Sequence, residues 1–211
     1  MASSIETTSS TTILKNNGTA YISVDTDENV TLAHPLAVAS GGTGAASAAA
    51  AAAAIAPIQL QTAVASTSGQ TVVDFTGIPS GVNRVTAMFF QWSLSAVNVP
   101  SIQLGVGTSP TTSGYDTTVT MNGSSSKYTD SFTIPSDALA AYHSTGSLIL
   151  NRITGNTWIG TGVASCNTSG AYGGTVGGGV TLSGEIGMIR FKANNGSDTF
   201  DGGNLSISWE F

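Results

Sequence analysis

Residues 204–210 read NLSISWE, with Leu205, Ile207 and Trp209 alternating against Ser206, Ser208 and Glu210. Successive side chains of a strand point to opposite faces, so this period of two buries one face and leaves the other to solvent. The pattern recurs upstream. In RVTAMFF at 84–90, Val85, Ala87 and Phe89 share one face, and Met88 and Phe90 lie on the other. In IGMIRF at 186–191, Ile186, Met188 and Arg190 oppose Gly187, Ile189 and Phe191. Further β-rich runs are Gln59–Ala65, Thr71–Phe75, Ile102–Gly105, Thr117–Asn122, Thr129–Thr133, Ser147–Ile153 and Thr157–Cys166. Turn residues separate them, and SDALAAY at 136–142 offers at most a single helical turn. Short strands at this spacing predict an all-β fold, a β-sandwich of jelly-roll-like kind, and disfavour a βαβ layout.

Before residue 58 the pattern changes. Residues 1–12 (MASSIETTSSTT) are Ser/Thr-rich and read as a flexible or partner-ordered arm. Asn16-Asn17-Gly18 is a turn signal; Tyr21, Ile22 and Val24 mark a strand; 25–29 mark a second turn; Val30 and Leu32 mark another strand. A β-hairpin of this size is marginal in water, so it packs on the main domain or on identical copies about an axis. Ser40-Gly41-Gly42 reads as a hinge, and Ala45–Ile55 has the highest helix propensity available before Pro57 ends it. Such a helix is marginal alone. Alanine lets backbones approach closely, so Ala46, Ala49, Ala53 and Ile55 are the candidate oligomerisation segment, with a semi-ordered Ala-rich linker as the alternative. The division is an N-terminal arm over 1–38, a Gly/Ala-rich linker or short helix over 39–57, and a β-domain over 58–211.

Twelve acidic and six basic residues give a net charge of −6, and only 9% of the chain is charged. About 25% is usual. No basic patch is present for nucleic acid, and no polybasic arm for an anionic membrane. The longest apolar run, Ala48–Pro57, is too short to span a bilayer, and Met1–Asn17 shows no secretory signal. Cys166 is the single cysteine, so an intrachain disulfide is impossible, and it reads as a small core residue.

Catalytic patterns are weak. His34 and His143 fall in different sections, so one subunit cannot build a three-histidine metal site. Asp25, Asp27 and Glu28 in DTDEN lack the sixth-position Gly and distal Glu of a calcium loop. Asp198 and Asp201 lie in a Gly/Asn-rich turn and are expected to bond to their own backbone rather than act as an acid pair. GGTG at 41–44 lacks the Lys-Ser/Thr of a phosphate loop. GGTVGGG at 173–179 reads as a loop or a glycine-strained strand connection. No catalytic residue, metal or cofactor is expected. A carbohydrate site would use exposed aromatics. Trp92, Tyr115, Tyr142, Trp158 and Tyr172 are the candidates, each with burial in the core or in a subunit interface as the favoured alternative, and Tyr115 and Tyr172 are placed on surface loops near Gly105–Gly114 and Gly170–Gly179.

VVDFTGIPSGVNRVTAMFFQWSLSAVNVPSIQLG at 72–105 resembles the C-terminal β-domain of tailed-bacteriophage tail fibres and related virion proteins. NNGSDTFDGGNLSISWEF at 194–211 is similar to their terminal strand motif, and NRITGNTWIGTG at 151–162 to the strand pair between, with Trp158 at the aromatic position. PLAVASGGTGAASAAAAAAAI at 35–55 resembles the GGTG-type linker of phage fibres, and ILKNNGTAYISVDTDENVTL at 13–32 the short repeat preceding it. The resemblance implies a structural component of a tailed-phage virion, a homotrimer. Residues 1–38 would attach to other virion proteins, and the β-domain would project towards a host surface glycan. The long shaft of such fibres is missing, which implies a short fibre, a tail-attached protein, or a head or neck decoration protein.

Overall fold

A computed structural model of the chain describes residues 3–7, 12–16, 19–24, 30–32, 55–56, 58–65, 69–136, 142–167 and 171–211. Two compact units result, Met1–Pro57 and Ile58–Phe211.

The first unit is a four-stranded antiparallel meander of β1 (Ser3–Thr7), β2 (Thr12–Asn16), β3 (Thr19–Val24) and β4 (Val30–Leu32). Ile5 stands opposite Leu14, and Leu14 opposite Ile22. Of the stretch 1–12, read as a flexible or partner-ordered arm, residues 3–7 form a strand paired with β2. Thr and Ile suit a pleated strand, and the hairpin partner supplies the hydrogen bonds. None of the described side chains of this sheet is fully buried. The Ala46, Ala49 and Ala53 positions, His34 and the DTDEN acids lie outside the described residues. Ile55 is described and is exposed.

The second unit is all-β, with two antiparallel sheets in a β-sandwich-like arrangement. Its strands are β5 (Ile58–Leu60), β6 (Val64–Ala65), β7 (Val72–Thr76), β8 (Arg84–Leu94), β9 (Pro100–Val106), β10 (Ser109–Pro110) and β11 (Asp116–Met121), then β12 (Ser124–Tyr128), β13 (Phe132–Thr133), β14 (His143–Thr154), β15 (Thr157–Asn167), β16 (Ala171–Thr181), β17 (Ile186–Ala193) and β18 (Phe200–Glu210). The large sheet runs β12-β11-β16-β15-β14-β8-β18-β5, with β6 also on β18. The small sheet runs β10-β9-β17-β7, with β13 also on β9. Asn122 and Gly123 take φ of 52° and 78° in the two-residue turn from β11 to β12. That is the geometry Asn-Gly favours in a hairpin.

Alternation decides the core. Val85, Ala87, Phe89, Leu148, Leu150, Leu205 and Ile207 are buried from the large sheet, and Val73, Phe75, Ile102, Leu104, Ile189 and Phe191 from the small one, in one cluster. Trp92 on β8 meets Phe191 on β17 edge-on, with ring centroids 5.3 Å apart at 75°, and meets Phe200 at 5.6 Å and 77°. Phe191 continues to Phe75 at 5.6 Å. Offset and edge-on contacts are the favoured aromatic geometry.

Two departures from the sequence reading have physical causes. GGTVGGG is no loop: it lies within β16, an eleven-residue strand paired on both sides. Gly174 answers crowding on the core side, since a Cβ there would stand 2.6 Å from Pro135 and 2.7 Å from the Thr120 carbonyl oxygen. The other departure is β17, where Met188 and Lys192 are buried as well as Ile189 and Phe191. Contacts from 130–133 account for part of this. The Gln103 amide donates to the Asp130 carbonyl at 2.9 Å, and Ser101 Oγ lies 3.3 Å from Thr133 Oγ1.

Phe191→Ala is expected to remove about 3–5 kcal/mol of unfolding free energy, the usual cost of an aromatic-sized cavity. Urea denaturation checks this. A loss under about 1 kcal/mol would show that the sheets do not depend on this contact.

Candidate functional site

A shallow cavity of about 380 Å³ opens at one end of β8, β14, β15 and β16, lined by Phe90, Gln91, His143, Thr145, Ser165, Cys166, Asn167 and Tyr172. It exists because β8 bulges. Trp92 pairs with Ser144 and Phe89 with Gly146, so Phe90 and Gln91 together face Thr145. Gln91 sits at φ 53°, the left-handed region. For a residue with a side chain this costs on the order of 1–2 kcal/mol. The Gln91 N–H donates to Thr145 Oγ1 at 3.0 Å, which holds the bulge. Bulges commonly re-aim side chains beside functional sites.

The lining is neutral and amphipathic. Phe90 is 55% exposed and Tyr172 37%. Gln91, Ser165 and Asn167 are also exposed. His143 Nδ1 is buried without a hydrogen-bond partner. Aromatic faces beside amides and hydroxyls can bind an uncharged, hydroxyl-rich ligand. Cys166 and His143 do not make a nucleophile–base pair. Cys166 registers with Ser144 on the core side, whereas His143 registers with Asn167 one position on, and alternation turns neighbouring positions to opposite faces.

The other sequence candidates disperse. Tyr172 lies on β16 and borders this cavity, as a strand residue rather than a loop tip. Tyr115 is the correction. It is 3% exposed, edge-on to Phe132 at 5.5 Å, so it offers no surface to a ligand. Its hydroxyl accepts from the Leu104 N–H at 2.9 Å and donates to the Thr111 carbonyl at 3.1 Å. The stretch around it is likewise no open loop, because Gly105 and Val106 belong to β9 and Ser109–Pro110 form β10. Trp92 and Trp158 are fully buried. Asp198 Oδ2 accepts from the Asn98 amide at 3.1 Å, and Asp201 Oδ1 from the Ser93 hydroxyl. These two acids are spent on different partners.

Cations are spent too. Arg84–Glu210 at 3.5 Å, Lys127–Asp116 at 3.0 Å, Arg152–Glu185 at 3.7 Å, Arg190–Asp74 at 2.6 Å and Lys192–Asp130 at 3.7 Å account for every basic side chain of residues 58–211. Arg190 makes a two-pronged contact, Nε and Nη2 each donating to one Asp74 oxygen, and this raises its pKa. Lys192 donates to the carbonyls of Ala193 at 3.3 Å and Asn194 at 2.9 Å. Burial lowers its pKa while Asp130 opposes the shift. Such a lysine pins a segment; it has no free donor for a phosphate. Among the described residues no group of three or more His, Cys, Asp or Glu is arranged to hold a metal ion, and no helix is long and apolar enough to cross a membrane. No family model, curated protein or solved structure matches the chain.

Burial pushes the Tyr115 phenol above its ordinary range. An unfolded tyrosine ionises near pH 10. Above about pH 10 the unfolded chain therefore releases a proton that the folded chain keeps, and stability falls as pH rises. Tyr115→Phe should cost about 1–3 kcal/mol near neutral pH, because the buried Leu104 N–H loses its acceptor. That deficit should shrink above about pH 10, by up to about 1.4 kcal/mol per pH unit. Urea titrations of both proteins from pH 8 to 11.5 check it; parallel profiles would refute the burial argument.

Proposed function

We propose that the chain is a structural component of a tailed-phage virion. In this reading it is a short homotrimeric tail fibre or tail-attached protein. Residues 1–38 attach it to other virion proteins, and the β-unit, of jelly-roll-like kind, projects and touches the host surface. No cofactor enters this reading. The observation that carries it is the neutral cavity at Phe90, Gln91 and Tyr172: it joins aromatic surface to amides and hydroxyls with no acid, lysine or arginine in its lining. That chemistry supports holding a ligand rather than transforming it. A glycan, with C–H faces for Tyr172 and hydroxyls for Gln91 and Asn167, fits the description. The same observation supports a glycan-binding module without catalysis. The capsid or neck decoration reading differs only in where the chain attaches.

Immunogold labelling of assembled particles tests the assignment. Label on the tail is the expected result, label on the head favours decoration, and particles without label refute a virion role. Deleting 1–38 should abolish incorporation while the protein remains soluble. Tyr172→Ser should weaken adsorption of the protein to host cells about tenfold or more with an unchanged melting temperature. Equal adsorption would remove the cavity from the account.

A further inference from the structure

Asparagine is followed by glycine at 17–18, 122–123 and 195–196. Such a pair can react without an enzyme. The glycine nitrogen gives its proton to solvent base and bonds to the asparagine Cγ. The Cγ–Nδ2 bond breaks, and Nδ2 takes a proton and leaves as ammonia. Water then opens the succinimide ring at either carbonyl carbon, which leaves aspartate or isoaspartate. Glycine hinders the attack least, because it has no Cβ. Ring closure needs a carboxamide and a backbone N–H free of other partners, and a chain able to rotate them together. Asn17-Gly18 lies outside the described residues. The other two pairs are both followed by serine, so their local sequences are alike, and the fold sets them apart.

Asn195 is exposed but held. Its Oδ1 accepts from the Ser197 N–H at 3.0 Å and from the Asp198 N–H at 3.1 Å. The Gly196 N–H, whose nitrogen would attack, donates to the Ala193 carbonyl at 2.9 Å. The chain before it is fixed as well. The Asn194 N–H donates to the Val99 carbonyl at 2.9 Å, and the Asn194 carbonyl accepts from Lys192 Nζ at 2.9 Å.

Asn122 is exposed and free. It sits with Gly123 at the tip of the turn between β11 and β12. Neither its carboxamide nor the Gly123 N–H has a hydrogen-bond partner among the described residues. The strand that follows is weakly held. β12 is the outermost strand at its end of the large sheet, and Ser124, Ser125, Ser126 and Lys127 are all exposed. Beyond its ladder to β11, the side-chain tethers are the Thr120–Ser125 hydroxyl contact at 2.9 Å and the Lys127–Asp116 pair at 3.0 Å. Exposed contacts of this kind contribute little, and local opening is easiest where few apolar side chains are buried.

We propose that Asn122-Gly123 is a site of spontaneous deamidation in the folded protein, and that Asn195-Gly196 is protected. Aspartate at 122 adds one negative charge to a chain of net charge −6. Isoaspartate does more. The main chain then runs through the former side-chain carbon and gains one CH2, inside a turn that joins Met121 to Ser124 through two residues. The turn loses its geometry, β12 loses its register with β11, and the bond after Lys127 opens to protease.

The test keeps the full-length chain in mildly alkaline buffer. Peptide mapping reads the mass gained when a side-chain NH2 becomes OH, and labelling by an isoaspartyl methyltransferase reads isoaspartate. Asn122 should convert about tenfold or more faster than Asn195, whose reacting groups are held by three hydrogen bonds. In guanidinium chloride the two should convert at matching rates. Trypsin should cut after Lys127 about tenfold or more faster in the isoaspartate fraction than in fresh protein. Equal conversion of the two in the folded chain overturns the proposal. So does an Asn122 that stays intact while the unfolded chain converts, or a margin over Asn195 that persists in denaturant. Unchanged trypsin cleavage overturns the release of β12.

Discussion

The edge-on contact between Trp92 and Phe191 joins the two sheets, and most of the second unit follows from it. Trp92 stands on β8, which lies between β14 and β18 in the large sheet, and Phe191 on β17, between β9 and β7 in the small one. The bulge at Phe90 and Gln91 resets the alternation, so Phe89, Ala87 and Val85 turn inward on the same side as Trp92, and pairing carries that face to the neighbouring strands. Leu205 and Ile207 must then point inward on β18, and Leu148 and Leu150 on β14. A shift of one residue in any of these registers would expose a row of leucine and isoleucine and bury serine, so the register is strongly specified.

That sandwich explains the low charge of the chain. Five ion pairs consume every cation of the second unit, and several sit at sheet margins. Surface pairs of this kind contribute little stability each. Their effect is more apparent in what they remove: among residues 58–211 no lysine or arginine is left without an acidic partner. The remaining surface of serine, threonine, glycine and scattered isoleucine or valine recognises a partner by shape and neutral hydrogen bonds, or not at all.

The legible parts of the fold were those with one wet and one dry face. NLSISWE and RVTAMFF are both strands, with Val85, Ala87, Phe89, Leu205 and Ile207 inward as expected, while Trp209 is only partly buried and Ser208, on the opposite face, is buried. Period two failed where that condition failed. On β17 the second face is also buried, so Met188 and Lys192 look outward by pattern and are not. On β12, SSSKY carries no apolar residue before Tyr128, and its strand character comes from pairing with β11. On β16, glycine suppresses the propensity signal, yet Val176 and Val180, four apart, still mark a core-facing stripe. Tyr115 misled for a different reason. Its neighbours Gly114 and Asp116 read as a surface turn, while the partners that bury its ring and hold its hydroxyl, Phe132, Leu104 and Thr111, are not its immediate neighbours in sequence. The bulge at Gln91 left no signal, because nothing in FFQW distinguishes a left-handed glutamine from an extended one.

The neutral cavity lies at the end of β14, β15 and β16 near Gln91 and Tyr172. In the homotrimer proposed above it would recur once per copy around one axis. A shallow, uncharged site supports only weak binding, on the order of millimolar, or about −4 kcal/mol. Linked sites that engage one surface together gain on the order of 10²–10⁴ in avidity without any new contact. A cavity too neutral to bind tightly in a single copy would hold a surface through repetition, which is what the proposed homotrimer would supply.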